Sequence, residues 1–199
     1  PVPREAFRDV LTATSDHHHT YGPIADWDVS KVQSMRMMFV NGDPDEFPAD
    51  IDPEDVLEIR SLDLSAWDVS GVTSMVDMFT EGGDAFTADL KAWDVSSVQQ
   101  MDRMFYSCHK FKSNLSEWKV GQAVSMDYLF GYCSQFNSDL SKWDVSNVQS
   151  MEDMFKGSVR FNADLSEWNV SNVTNMAGMF NLASAFNSDL SEWDVGKRT

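Results

Sequence analysis

The chain has 199 residues and carries 15 Lys and Arg against 32 Asp and Glu, a formal net charge of −17. So acidic a chain repels nucleic-acid phosphates and anionic membrane surfaces, and we predict neither as a partner. A hydrophobic content of 42% is enough for a packed core, which argues against disorder. No apolar run is long enough to cross a bilayer, so no membrane insertion is expected in this segment.

Residues 1–20, ahead of the first tryptophan, are predicted to form a capping helix and a linker. Phe7, Val10 and Leu11 lie at helical spacing there. An amphipathic helix at this place would cover the open end of a repeat array, as the terminal units of such arrays require.

Seven tryptophans mark an internal repeat. The successive intervals between Trp27, Trp67, Trp93, Trp118, Trp143, Trp168 and Trp193 are 40, 26, 25, 25, 25 and 25 residues. A fixed period in the twenties is typical of a solenoid, in which each unit buries its apolar face against its neighbours. We therefore predict one repeat solenoid over residues 21–199, with an acidic loop insertion at about 41–62 in its long first unit. Because the chain starts at Pro1 and stops within a unit, we expect a mature or excised piece.

The apolar positions change rhythm within each unit. Trp93 and Val95 alternate with polar residues, as in a half-buried strand, whereas Met101, Met104 and Phe105 follow the spacing of one face of a short helix. The predicted fold class is therefore an α/β solenoid of short parallel strands and short helices.

The repeat resembles a known family. The string from Asp164 to Met176, followed by Met179-Phe180 and Phe186-Asn187, resembles the surface-protein repeat of Listeria and Mycoplasma lipoproteins, which belongs with the BspA-like leucine-rich repeats. The entry stretch Tyr21 to Trp27 is similar to the opening of such arrays in protist members. The resemblance covers residues 21–199 and implies a right-handed, leucine-rich-repeat-like coil. It also implies a secreted or surface-displayed protein with a role in adhesion or interaction.

The candidate binding residues follow each Trp directly. On an alternating strand this position points outward, and its column reads Asp28, Asp68, Asp94, Lys119, Asp144 and Asn169. One interpretation is a ribbon that binds cations or a basic partner. The other is a solvated face whose side-chain oxygens hold turn amides.

A second acidic column lies four residues before each Trp and is interpreted as structural. Asn114 replaces Asp in one unit, so an acceptor oxygen matters there more than a charge. We expect these side chains to accept hydrogen bonds from turn N–H groups.

The two cysteines, Cys108 and Cys133, are one repeat apart and should lie side by side. A disulfide between them and a pair of small buried thiols are both compatible with that spacing. The neighbouring repeats carry Ser158 and Ala183 at the same place.

The candidate metal ligands lie in the acidic insertion, because a flexible loop can wrap several oxygens around one calcium ion. They are Asp43, Asp45, Glu46, Asp50, Asp52 and Asp55. No cofactor is certain on this basis, and calcium is the one considered.

The sequence has no nucleophile elbow, phosphate-binding loop or dinucleotide fingerprint, so we expect no enzyme. The predicted function is a non-enzymatic, extracellular or cell-surface interaction or adhesion module that binds a protein or glycan through the exposed strand face. The alternative is a calcium-dependent structural repeat protein, with cations at the acidic loop or along the Asp column.

Overall fold

The structure, a computed structural model, describes residues 28–36, 63–84 and 86–196. The predicted capping helix and linker at 1–20 and the acidic insertion at 41–62 lie outside these residues, as does Trp27. Each repeat is named below by its tryptophan, from the Trp67 repeat to the Trp193 repeat.

Regular secondary structure is nearly absent from the described residues. They contain no helix, hence none that could span a membrane. Their β structure consists of isolated parallel bridges, Ser34 to Ser74, Ser74 to Gln100, Gln100 to Ser125, Ser125 to Ser150 and Ser150 to Asn175. The predicted α/β solenoid, with a strand at each Trp and a helix at each Met pair, is therefore wrong. Successive repeats do lie side by side in register, but irregular backbone joins them.

The predicted short helix is replaced by a series of tight turns. The N–H groups of Met104 and Tyr106 donate to the carbonyls three residues earlier, at 3.1 Å in both cases. Arg103 and Ser107 adopt positive φ angles of 54° and 58°. A left-handed residue cannot continue a right-handed helix. The Met and Phe side chains nevertheless point into the core, so the spacing predicted their direction and not their backbone.

The physical reason is that alternate amides of this segment bond to the next repeat. The N–H groups of Met101, Arg103, Phe105 and Ser107 donate to carbonyls of the Trp118 repeat at 2.8 to 3.2 Å. A helix would point its amides along its own axis, so alternate amides could not form this row of bonds to the neighbouring repeat. The same four-amide pattern recurs in the Trp67, Trp118 and Trp143 repeats. We call this segment, residues 8 to 14 after each Trp, the ladder segment.

The predicted strand at each tryptophan is likewise a pair of turns. The N–H of Trp93 donates to the carbonyl of Leu90 at 3.1 Å, and that of Val98 donates to Val95 at 2.9 Å. The link to the neighbouring repeat is made by a side chain, since the indole Nε1 of Trp93 donates to the carbonyl of Leu64 at 2.8 Å. Trp118, Trp143, Trp168 and Trp193 repeat this bond.

Aromatic columns run through the core. The described tryptophans are at most 8% exposed, and the rings of Trp118 and Trp143 stack with centroids 6.4 Å apart. Beside them Phe105 stacks on Phe130 at 5.6 Å and on Phe111 of its own repeat at 4.2 Å. The indoles of the described repeats therefore form a buried column.

Cys108 and Cys133 are both free and fully buried. The thiol of Cys133 lies 2.9 Å from the carbonyl oxygen of Phe105 in the preceding repeat. In the next repeat the hydroxyl of Ser158 donates to Phe130 in the same way. Burial raises the pKa of Cys108 to about 12 and that of Cys133 well above its usual value. The position therefore selects a small residue that can lie against the preceding repeat, and its side chain donates to that repeat where it is Cys or Ser.

Candidate functional site

The predicted binding column after each Trp lies on the surface, and the structure brings its members together. Electrostatic repulsion by Asp94 and Asp28 acts on Asp68, whereas Lys119 attracts Asp94. Asp144 and Asn169 are exposed at the equivalent places in later repeats.

Each Asp or Asn side chain of this column also holds its own turn, whereas Lys119 has no acceptor for that role. Oδ1 of Asp68 accepts the hydroxyl of Ser70 at 2.6 Å and its N–H at 3.1 Å. These two bonds, the hydroxyl bond first, lower the pKa of Asp68. Asn169 accepts the same pair from Ser171 at 2.8 and 3.2 Å. An amide oxygen is therefore sufficient for this role, and the negative charge is not required for the turn.

The second acidic column is structural, as predicted. Oδ1 of Asp139 accepts the N–H of Ser141 at 2.9 Å, and Oδ1 of Asp89 accepts the hydroxyl of Ser113 from the next repeat at 3.1 Å. These carboxylates therefore satisfy turn amides and tie neighbouring repeats together.

The six candidate calcium ligands, from Asp43 to Asp55, lie outside the described residues, so the calcium hypothesis stays a prediction. Within residues 28–36, 63–84 and 86–196, no three His, Cys, Asp or Glu side chains are grouped to hold a metal ion.

A second surface, which the sequence interpretation missed, lies on the ladder segment. It comprises positions 9, 10, 13 and 14 after each Trp, which belong to no core column, and we call it the ladder face. It consists of residues 76, 77, 80, 81, 102, 103, 106, 107, 127, 128, 131, 132, 152, 153, 156, 157, 177, 178, 181 and 182. With two basic and six acidic residues, it has a formal net charge of −4.

Three tyrosines cluster at the middle of the ladder face. The ring of Tyr106 lies 5.9 Å from that of Tyr128 and 5.6 Å from that of Tyr132, measured between centroids. The interplanar angles are 73° and 88°, so both contacts are edge-to-face. Such pairs add to the stabilisation that burial alone provides.

Two ion pairs flank the tyrosine cluster. Nε of Arg103 lies 3.1 Å from Oδ1 of Asp77, and its guanidinium is 5.3 Å from the ring centroid of Tyr106. On the other side, Nζ of Lys156 lies 2.8 Å from Oδ2 of Asp153 and 5.7 Å from the ring centroid of Tyr128. A hydrogen bond to the buried Asp153 carboxylate is the main cause that raises the pKa of Tyr128. Both cations are thus held over aromatic rings by carboxylates.

Glycines in the following repeats make room for the rings. A Cβ on Gly131 would lie 3.0 Å from the ring of Tyr106, and a Cβ on Gly157 would lie 2.5 Å from the ring of Tyr132. Each glycine occupies the same column as its tyrosine, one repeat later. The rings therefore lie directly against the neighbouring backbone.

Three stacked carboxylates border the cluster at position 9. Oδ1 of Asp102 accepts the N–H of Asp127 at 3.1 Å, and Oδ1 of Asp127 accepts the N–H of Glu152 at 2.8 Å. Burial is the main cause that raises the pKa of Asp127, and the charges of Asp102 and Glu152 raise it further. The border is thus a line of negative potential across three repeats.

The sequence did contain a signal for this surface. Every tyrosine after Tyr21 falls in the ladder segment, at positions that differ from repeat to repeat. A helix would also place these positions on one outward face, but it would not bring the tyrosines of successive repeats into ring contact as the stacked ladder segments do.

Comparison with known proteins identifies a family but no close relative. No curated protein and no solved structure matches the chain significantly. The family described as "Mycoplasma protein of unknown function, DUF285" matches residues 13–141 and, in an overlapping second match, residues 114–199. These matches together cover the repeats described above and most of the sequence before them, and the chain belongs to this repeat family.

Proposed function

We propose that the protein is a non-enzymatic interaction module, secreted or displayed at the cell surface, that binds a protein or glycan partner through its outer surface. The observation that carries the proposal is the contrast between core and ladder face. Position 12 after Trp is Phe in all five repeats from Trp67 to Trp168, whereas position 10 is Asp, Arg, Tyr, Asp and Gly in turn. Core packing accounts for the constancy of the first column. The second column makes ion pairs and ring contacts that differ between repeats, so it presents a different outer surface in each repeat.

The glycines that lie against the tyrosine rings support this interpretation, because they show that the fold accommodates the variation between repeats. A Cβ at Gly157 would clash with the ring of Tyr132, and one at Gly131 would press on the ring of Tyr106. In both columns, therefore, a large ring and the glycine that follows it fit each other within the fold.

The finer resemblance to BspA-like surface proteins belongs to the same proposal, together with an adhesive role and an extracellular location. Its support is the repeat-family match and the strongly acidic composition. The buried thiols of Cys108 and Cys133 have raised pKa values and no access to a substrate, which also fits binding without turnover.

Between the two outer surfaces, the ladder face is the better candidate for the contact. In the column from Asp28 to Asn169 the Asp and Asn side chains are occupied in holding turns, and only Lys119 departs from their shape. The tyrosine cluster combines aromatic area with charge, as binding hot spots do.

A screen against arrays of glycans and extracellular proteins tests the proposal. The ladder-face variant is Tyr106→Thr with Tyr132→Ser, because Thr80 and Ser107 occupy those columns in other repeats. The matched control is Asp68→Asn with Asp94→Asn and Asp144→Asn, since Asn169 shows that an amide holds the turn. We expect saturable binding that the first variant loses and the control keeps. Absence of any ligand, or chemical conversion of one, would contradict the proposal.

A further inference from the structure

We infer that the partner of the ladder face is a cationic protein segment whose Lys or Arg side chain contacts the tyrosine cluster. The inference rests on the proposed function and specifies its partner. It follows from the charge around the cluster, from the geometry of its rings and from the way the chain's own cations are already used.

The charge of the ladder face favours a cation. Arg103 and Lys156 are the basic residues of this face, and each is paired with a carboxylate of its own, Asp77 or Asp153. Asp102, Asp127 and Glu152 remain beside the tyrosines without a basic partner among the described residues. A cationic segment therefore meets a field that the protein does not neutralise internally.

The hydrogen bonds of these carboxylates leave capacity for such a contact. Asp102 and Asp127 use Oδ1 for the neighbouring backbone amide and for a serine hydroxyl. An ionised carboxylate has two oxygens and about four acceptor sites. The remaining acceptor sites of Asp102 and Asp127 can receive an N–H group of a guanidinium or ammonium.

The third ring of the cluster lacks the cation that the other two have. Arg103 lies over Tyr106 and Lys156 over Tyr128, whereas no cation within the described chain lies over Tyr132. Tyr132 has one side against Gly157 and meets Tyr106 edge-to-face. A Lys or Arg from a partner would repeat at Tyr132 the arrangement that the chain makes twice itself.

The ring geometry argues against a glycan as the main partner. Sugars stack on exposed, flat aromatic faces, but the tyrosine planes here cross at 73° and 88° and form no common platform. A neutral sugar can use these carboxylates only as hydrogen-bond acceptors and gains no charge attraction from a surface with a formal charge of −4. A Lys or Arg side chain needs the face of only one ring and is also attracted by the negative charge.

The test uses short fluorescent peptides of one design, in which the variable residue is Arg, Gln or Glu, and neutral chitin and cellulose oligosaccharides. Fluorescence anisotropy with each peptide, and calorimetry with the sugars, give the affinity of the whole chain at low and high salt. We expect only the Arg peptide to bind with appreciable affinity, and more weakly at high salt.

Two variants show whether the tyrosines, and not general acidity, are responsible. Tyr106→Thr with Tyr132→Ser leaves the net charge unchanged and should weaken Arg-peptide binding by about tenfold. Tyr132→Phe keeps the aromatic ring and its packing, so the affinity for the Arg peptide should be unchanged. This variant therefore tests the role of the ring without disturbing the fold. The control with Asn at 68, 94 and 144 removes three charges elsewhere and should change the affinity by much less.

The outcomes separate the inference from the proposed function. Equal weakening by the tyrosine variant and by the Asn control would mean diffuse attraction and would overturn the inference. So would tyrosine-dependent binding of an oligosaccharide without binding of the Arg peptide, although the interaction function would then stand. If no peptide or sugar binds and the array screen also returns nothing, both are wrong.

Discussion

The tryptophan turns and the ladder segment have the same period, yet they join the repeats in opposite ways. At the tryptophan turns the link is a side chain, the indole N–H of Trp143 bonded to Leu115 at 3.0 Å. In the ladder segment the links are backbone amides, such as that of Arg103 to Asp127 at 2.8 Å. Where a side chain makes the link, its identity cannot change. Where the backbone makes it, the outer side chains are free to differ, and there the tyrosines are found.

Replacing Trp143 by Ala should cause the largest loss, because it removes both a core ring and an inter-repeat hydrogen bond. We expect the free energy of unfolding to fall by about 3–5 kcal/mol, measured by urea denaturation. Tyr128→Asp, which places the residue of Asp77 and Asp153 into the same column, is the ladder-face control and should cost far less. A loss below about 1 kcal/mol at Trp143 would contradict the role given to its side chain.

Gly157→Ala should break the rule that the ladder face tolerates change, because its Cβ would lie 2.5 Å from the ring of Tyr132 and its φ is +68°. We expect destabilisation of about 1–3 kcal/mol. Tyr132→Ser in the same chain should recover part of that loss, since the clash is then gone. A double-mutant cycle measures the coupling between the two positions. If the two changes in unfolding free energy were additive, Gly157 would not be needed to accommodate the Tyr132 ring.

Calcium provides a comparison between the described repeats and the acidic insertion. If the insertion binds calcium through residues such as Asp43, Asp45 and Glu46, millimolar calcium should raise Tm and a chelator should reverse the rise, because a ligand of the native state stabilises it. Neutralising those three residues to Asn, Asn and Gln should abolish the rise, whereas the Asn control at 68, 94 and 144 should keep it. An unchanged Tm in the native chain would remove calcium from consideration.

The smallest expected effect concerns acid stability. Hydrogen bonds to Ser70, Ser96 and Ser146 lower the pKa values of Asp68, Asp94 and Asp144. Their contribution is thus present above the unfolded pKa of about 3.9 and is lost as the pH falls through the lower folded values. The triple Asn variant should therefore lose less stability on acidification, as followed by urea unfolding at a series of pH values.

Asp127 should act in the opposite direction and serves as the internal contrast. Burial raises its pKa in the folded state, so its ionisation disfavours folding as the pH rises through its unfolded pKa. Asp127→Asn should therefore flatten a loss of stability that occurs toward neutral pH. If Asp127→Asn and the triple Asn variant shifted the pH profile in the same direction, the assignment of either group would be incorrect.

The inward residues could be predicted from the sequence because spacing reports which side chains share a face. Trp93, Val95, Met104 and Phe105 are all buried as expected. Backbone conformation could not be predicted in the same way. The positions with positive φ carry Arg103, Ser107 and Tyr128, residue types that do not usually indicate a left-handed turn. Glycine occupies these positions only in some repeats.

The tyrosine cluster could not be predicted for a related reason. Tyr106 and Tyr132 lie in different columns of adjacent repeats, 26 residues apart. They meet only because the ladder segments stack in register and a glycine follows each tyrosine in its column one repeat later. The structural role of the acidic columns was easier to predict from the sequence, since an Asp or Asn followed two residues later by Ser is a local turn pattern.

The amides of the ladder segments also give this part of the molecule a net backbone dipole. In each ladder segment from the Trp67 to the Trp143 repeat, alternate N–H groups point toward the following repeat and the accepting carbonyls point back. The peptide dipoles of successive repeats therefore add, as they do along a helix axis. On the ladder segments this backbone contribution is positive toward the later repeats and negative toward the earlier ones. The single amides of Gln99, Val124 and Gln149 donate to the preceding repeat and oppose it in part. A cationic segment of the kind proposed above would be oriented by this contribution with its positive end toward the Trp67 repeat.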